Sequence, residues 1–342
     1  MFFDREEELR ALLSLISYEP NMITFVYGPI NSGKTALIDE FIKRLPDDYL
    51  AFKINFRRSP ITGYEEFVSV LFSLDLRNNI RTLKDAISLV LSVGKEVFGF
   101  PIPSELFERI VMEKKPKNAF TYIATLMEEI RRVGKNPILI VDELQVIGDL
   151  KVNGPLIYEM FNFFVHLTKE EHLAHVFAVT SDSLFIEKIY NEAMLQGRAD
   201  YFLVDDFDRK TALDFLKVNG LSGDEAELVW SYFGGKPVYL VEALKHREEL
   251  KEWCEGTLED RTSWLVLSLN SMRRKNPELF RDILPLLNEF NDKEAIKCNE
   301  IDDAVFWTVK NNVLFFDPRK RLLRPQGRLE LLAIRRALDE VG

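Results

Sequence analysis

Apolar and polar positions alternate between two periods along the first two-thirds of the chain. Residues 4–18 place Leu9, Leu12, Leu13 and Ile16 at helical spacing, with acids in the first turn, where a helix dipole favours them. Residues 23–27 are an unbroken β-branched and aromatic run, and 36–42 return to a helical pattern. Residues 49–56 alternate apolar with polar or basic positions and predict a second strand. From 61 to 133 the pattern is mostly helical, divided by Gly63, Gly94, Gly99 and Pro116 into about four helices, the last near 118–133. Residues 137–141 are continuously apolar, as expected for a parallel strand buried on both faces. Two further strands are predicted over 176–181 and 201–204, with helices over 154–167 and 184–195.

Beyond residue 207 the strand–helix alternation stops. Helices are predicted over 208–217, 224–233 and 238–246, with Gly234, Gly235, Lys236 and Pro237 interrupting them. A helix over 277–290, a short one over 292–298 and a third over 301–310 precede two apolar runs, 313–316 and 322–324. Those runs flank Asp317-Pro318-Arg319-Lys320-Arg321 and predict a two-stranded hairpin with a basic tip. Three helices followed by such a hairpin spell a winged helix, and a last helix over 329–338 covers it.

At 342 residues and 46% hydrophobic content, the chain can bury a large core and divide into two or three domains. No apolar run reaches the roughly 18 residues of a membrane span, and the acidic start from Asp4 to Glu8 is unlike a signal peptide. A cytoplasmic location with no membrane partner is expected. Cys254 and Cys298 are the only cysteines, too far apart for a C-x-x-C motif and expected as buried packing residues. The net charge of −10 argues against indiscriminate nucleic-acid binding by the whole surface. The charge is uneven, however: residues 310–336 hold eight basic side chains against two acidic ones.

The candidate chemistry begins where the first strand ends. Gly28-Pro29-Ile30-Asn31-Ser32-Gly33-Lys34-Thr35 fits G-x-x-x-x-G-K-[ST] at every fixed position and lies between a strand and a helix, the context that motif requires. Gly28 and Gly33 allow tight backbone geometry, so that successive N–H groups, through Ala36, curl around phosphates at a helix N-terminus. Lys34 is expected to reach the β and γ phosphates of ATP and Thr35 to ligate Mg²⁺. Asp142, at the end of the 137–141 strand, is expected in the Mg²⁺ shell opposite Thr35, and Glu143 as the general base that polarises water. Ser181 or Thr180, at the tip of the next strand, is placed to orient that water or to cap the following helix. His166, His172 and His175 lie near one another in the sequence but are not expected to bind zinc. Phe2, Phe3 and Arg5 are either packing residues or one wall of an adenine pocket.

On these residues the chain resembles the archaeal ATPases of the AAA+/STAND group of P-loop NTPases. The resemblance rests on Phe3-Asp4-Arg5-Glu6-Glu7-Glu8-Leu9, the phosphate loop, Asp142-Glu143, Ser181, Gly197-Arg198 and Gly235-Lys236-Pro237. It implies an α/β P-loop NTPase fold with a five-stranded parallel sheet of order 5-1-4-3-2, a helical lid and a C-terminal winged helix. The corresponding domains are 1–206 (with a helical insertion at about 61–117), 207–250 and 251–342. The resemblance puts Phe3, Arg5 and Pro237 around the adenine. It gives Arg198 the place of the arginine that reaches the γ-phosphate of a neighbouring subunit, which implies a homo-oligomer. No clear sensor 2 arginine is present, the nearest cations being Lys236, Lys245 and Arg247. The implied activity is ATP binding and hydrolysis by a switch or motor that moves its lid and winged helix, with DNA expected on Arg319, Lys320, Arg321 and Arg324. The competing reading is a weakly hydrolysing regulatory module that holds a protein partner; a small-molecule kinase fits less well, because lid and winged helix look like coupling parts.

Overall fold

The computed structural model describes residues 2–72, 80–148, 150–152, 155–193 and 195–341. In the first part, strands and helices alternate: α1 (Glu6–Ile16), β1 (Ile23–Tyr27), α2 (Lys34–Lys43), β2 (Tyr49–Asn55), α3 (Tyr64–Phe72), α4 (Leu83–Val93), β3 (Glu96–Phe98), α5 (Ser104–Glu113), α6 (Pro116–Arg132), β4 (Asn136–Asp142), α7 (Leu156–Val165), β5 (His175–Thr180), α8 (Ser183–Glu192) and β6 (Ala199–Leu203). The strands form one sheet of order β3-β2-β4-β5-β1-β6, parallel at every pairing. It has six strands where five were expected. The extra one, β3, lies inside the region read as a purely helical insertion and pairs with Ala51, Phe52 and Lys53 at the sheet edge. Three residues are too few to show a period, so only the pairing with β2 identifies this strand.

β1 is buried at all five positions. Ile23, Phe25 and Tyr27 enter the core beneath the α3–α8 helices, while Val26 enters the opposite core with Leu37, Ile38 and Phe41 of α2. Each such fully buried side chain contributes about 1.5–3 kcal/mol, so the strand that ends in the phosphate loop is among the most firmly held in the molecule.

The remainder is helical apart from one small sheet: α9 (Arg209–Val218), α10 (Gly223–Phe233), α11 (Pro237–Lys245), α12 (Leu250–Lys275), α13 (Pro277–Asn288), β7 (Ile296–Lys297), α14 (Asp303–Lys310), β8 (Leu314–Asp317), β9 (Leu322–Pro325) and α15 (Arg328–Val341). The short helix expected over 292–298 is absent. In its place a turn leads into β7, which pairs with β9 and converts the expected two-stranded hairpin into a three-stranded sheet of order β7-β9-β8. The first half of α12 (Leu250, Cys254, Leu258) packs with α9–α11, and its second half (Leu265, Leu269, Met272) packs with α13, α14 and the small sheet. α15 likewise enters both cores, through Leu329 and Ala333 on one side and Ile334 and Leu338 on the other. Among the described residues no helix is long and apolar enough to cross a membrane.

Candidate nucleotide site

The parallel sheet brings the carboxyl ends of β1, β4 and β5 to one edge, where open sheets of this kind bind ligands. A cleft of about 450 Å³ opens there, lined among others by Lys34, Thr35, Arg57, Glu143, Ser181 and Pro237. Gly28 has to be glycine, because a Cβ would stand 2.1 Å from the carbonyl oxygen of Val204 just after β6. Gly33 caps α2 at φ 91°, in the left-handed region open to glycine. The turn between them leads directly into α2, and a helix N-terminus is where unpaired backbone N–H groups favour an anion. Ser32 is buried, and its hydroxyl has no hydrogen-bond partner among the described residues.

Lys34 is buried, and its Nζ donates to the carbonyls of Gly28 at 3.1 Å and Pro29 at 2.8 Å. Burial, followed by the nearby Lys236 ammonium, pushes its pKa down to about 8, against a partial upward pull from Glu143, Asp142 and Asp206. A buried ammonium held this far below its ordinary range is stabilised by an approaching anion. Thr35 Oγ1 donates to Asp142 Oδ2 at 3.3 Å, and Asn55 Nδ2 approaches the same oxygen at 3.4 Å. Burial, and then the neighbouring Glu143, push Asp142 up to about 6. Among the described residues no group of three or more His, Cys, Asp or Glu side chains could hold a metal. Thr35 and Asp142 are a hydroxyl and a carboxylate, a donor set that suits Mg²⁺ completed by phosphate oxygens and water.

Glu143 has a left-handed backbone at φ 59°, uncommon for a residue with a side chain and a form of strain that concentrates at functional sites. Its Oε2 accepts from Gln145 Nε2 at 2.6 Å and pairs with Arg57 Nε at 3.0 Å. Gln145 in turn accepts from Thr180 Oγ1 at 2.7 Å. Ser181 lines the cleft. The cap of α8 falls to neither hydroxyl of the strand tip: Asp182 provides it, accepting from Phe185 N at 3.0 Å.

Phe3 and Pro237 line a small apolar pocket with Phe2, Phe207, Phe215 and Val241. Arg5 is buried at its edge and ties three segments together: it donates to Glu8 Oε1 at 2.7 Å, Ser32 O at 2.8 Å and Asp205 O at 2.6 Å, and it stacks on Phe207. Arg198 is elsewhere. It is exposed and immediately precedes β6, whose first residue pairs with Ile23 and whose last pairs with Tyr27. It therefore sits at the far end of the sheet from its own phosphate loop, about 16 Å away at ~3.3 Å per strand residue. Lys236 is buried against the loop, whereas Lys245 pairs with Glu242 and Arg247 with the carbonyl of Asn219. On the hairpin, Arg319, Lys320 and Arg321 are exposed. Arg324 is not part of that open face, because it turns inward to pair with Asp205 at 2.5 Å.

Sequence reasoning missed Asn55, Arg57, Gln145 and Gln326 as site residues. Asn55 and Arg57 had a usable signal, being polar residues at the carboxyl end of a core strand. Gln326 had none, since the hairpin's place beside the phosphate loop is a tertiary fact.

Residues 2–243 match a family described as an ATPase domain predominantly from Archaea. Residues 251–338 match a second, described as the C-terminal domain of the uncharacterized ATP-binding protein MJ1010-like. An uncharacterized ATP-binding protein of Pyrococcus abyssi is 66% identical over 339 residues, covering 99% of both chains. Among solved structures, the Walker-type ATPase PABY2304 of Pyrococcus abyssi superposes with a TM-score of 0.64 at 18% identity, covering 98% of this chain and 96% of that one. The ORC2 protein of Aeropyrum pernix, solved as ADPNP–ADP complexes, gives 0.51 at 14% identity, covering 99% and 93%.

Proposed function

The chain belongs to the family of ATPase domains found predominantly in Archaea, and from that premise we propose that it binds MgATP in the cleft at the end of β1, hydrolyses it, and passes its nucleotide state to the helical and C-terminal segments. The observation that carries this is the convergence of Lys34, Thr35, Asp142 and Glu143 on one cleft at the N-terminus of α2. In this reading Lys34 and the loop N–H groups hold the phosphates and neutralise the charge that builds during transfer. Thr35 and Asp142 would hold Mg²⁺, which when bound would supply Lewis-acid neutralisation of phosphate charge. Glu143 takes the proton of the attacking water, and Ser181 helps to orient that water. The Phe3, Phe207 and Pro237 pocket, with Arg5 at its edge, receives the adenine. Residues 1–206, 207–250 and 251–342 act as core, lid and winged-helix domain, in the manner of the AAA+/STAND group.

Calorimetry with a non-hydrolysable ATP analogue and a phosphate-release assay test the reading. Lys34→Ala is expected to lose binding. Glu143→Gln is expected to keep affinity within a few-fold and to lose turnover by 10²-fold or more, the scale of a general base. Wild-type turnover in Glu143→Gln overturns the base assignment.

A second reading, binding of DNA phosphates, is favoured by the three exposed cations Arg319, Lys320 and Arg321 at the hairpin tip. Neutralising about three phosphates gives log K a slope near −3 against log salt. Gel-shift titration from 50 to 200 mM salt is expected to show that slope, and a triple Ala variant to abolish it. Absence of any shift at micromolar protein leaves the protein-partner alternative.

A further inference from the structure

Ile30, in the middle of the phosphate loop, is gripped through its backbone from two directions. Its N–H donates to Gln326 Oε1 at 3.1 Å, and its carbonyl accepts from Lys236 Nζ at 3.0 Å. Gln326 is 1% exposed and Lys236 2% exposed. Neither side chain is free to wander. Gln326 Nε2 donates to Leu314 O at 3.1 Å, and its own N–H donates to Val313 O at 3.1 Å, which fixes the glutamine to the small sheet. Lys236 is paired with Asp206 at 3.0 Å. Gly327, next to Gln326, makes room for it, because a Cβ there would stand 2.6 Å from Lys236 Cε. The hairpin that carries Gln326 is pinned to the same end of the large sheet by Tyr27, whose hydroxyl donates to Asp317 at 3.0 Å, and by the Arg324–Asp205 pair.

We propose that Gln326 and Lys236 are positioning residues for the phosphate loop, so that seating of the C-terminal hairpin and binding of nucleotide phosphates stabilise one another. The inference rests on reading the loop as a nucleotide site. The physical reason is the cost of an unpaired buried amide. If the hairpin departs, the Ile30 N–H loses its partner, and the loop has to rearrange to satisfy it. The N–H groups that follow Ile30 then leave the geometry that cradles phosphates. Coupling of this kind is reciprocal: whatever affinity the seated hairpin lends to nucleotide, nucleotide returns as protection of the hairpin.

The test compares Gln326→Met, which keeps side-chain volume but removes the acceptor for Ile30, with Tyr27→Phe, which removes a contact of the same hairpin without touching Ile30. Calorimetry with magnesium and a non-hydrolysable ATP analogue is expected to give about tenfold weaker binding for Gln326→Met, ~1.4 kcal/mol, and a change within twofold for Tyr27→Phe. Hydrogen exchange supplies the reciprocal reading. The analogue is expected to slow exchange of the β8 and β9 amides in the wild type, and not in Gln326→Met. Equal affinity in Gln326→Met and wild type overturns the inference, as does equal weakening in both variants, which would show that the Gln326–Ile30 contact has no part of its own in positioning the loop. If Gln326→Met fails to fold, the wild-type exchange experiment decides, since β8 and β9 protection unaffected by the analogue refutes the coupling. A wild-type chain that binds no analogue overturns the nucleotide reading itself, which distinguishes that failure from the others.

Discussion

Lys34 and Asp142 are both pushed toward neutrality by burial, from opposite ends of the pH scale. Asp142, ordinarily ionised above about 4, is raised to about 6. Lys34, ordinarily charged to above pH 10, is lowered to about 8. Both proposed roles need the charged form: a carboxylate to hold Mg²⁺ and an ammonium to hold phosphate. The window in which both are charged therefore runs from about 6 to about 8. MgATP affinity is expected to fall by about tenfold per pH unit below that window as Asp142 takes up its proton, and again above it as Lys34 loses its own. Isothermal titrations from pH 5 to 9 check this, and binding above pH 8 should be accompanied by proton uptake. Equal affinity at pH 5 and 7 refutes the carboxylate half. At this scale the motif residues were legible because their chemistry is local. Gln145, two residues from Glu143, and Arg57, just after β2, both bond Glu143 Oε2; their polarity is visible in the sequence, but that both turn onto this one oxygen is decided by the fold.

Among the elements, two glycines separate close packing from mere backbone freedom. Gly235 lies two residues before α11, and a Cβ there would lie 1.7 Å from the carbonyl oxygen of Phe207, whose own N–H donates to Gly235 O at 2.9 Å. That backbone pairing seats α11, and with it Pro237, over the phosphate loop. Gly256 lies within α12 with nothing within 4 Å of a Cβ. Gly235→Ala is expected to lower the melting temperature by 5 °C or more, at roughly 2–4 °C per kcal/mol for a domain of this size. Gly256→Ala is expected to raise it by one to a few degrees, since removing a helix-interior glycine is worth about 0.5–1 kcal/mol. Thermal unfolding of the two variants side by side checks both signs. A tolerated Gly235→Ala would show that the α11 turn can retreat from residues 205–207. The helices and long strands were legible because each repeats its period several times; β3, with three residues, and β7, with two, are shorter than any readable period.

For the whole molecule, the position of Arg198 decides between two roles. The sheet separates it from its own phosphate loop, so an action on nucleotide is proposed only in trans, on a neighbouring copy. Arginines supplied this way are worth on the order of 10³–10⁵ in rate. Specific activity is expected to rise with protein concentration, and a mixture of Arg198→Ala with Lys34→Ala protein to regain turnover that neither has alone. Activity independent of concentration, with no gain on mixing, removes the role. At the same scale, α12 and α15 run through two hydrophobic cores, and the small sheet reaches the phosphate loop through Tyr27–Asp317 and Ile30–Gln326. Movement of the C-terminal segment would therefore disturb the nucleotide cleft directly.

By itself the sequence determined the strand–loop–helix unit, the acids at the end of β4 and the succession of helices beyond residue 207. Each of these is written in neighbouring residues, as an unbroken apolar run, a period or a motif, and needs no partner to be recognised. Only the tertiary structure decided which partners the remaining buried polar side chains meet. It turned Arg324 inward to Asp205, made Arg5 a tie between the N-terminus and the loop, and laid Gln326 and Lys236 on Ile30. These positions depend on how segments separated by up to 296 residues pack against one another, and a buried polar group takes whichever partner that packing brings within hydrogen-bonding reach.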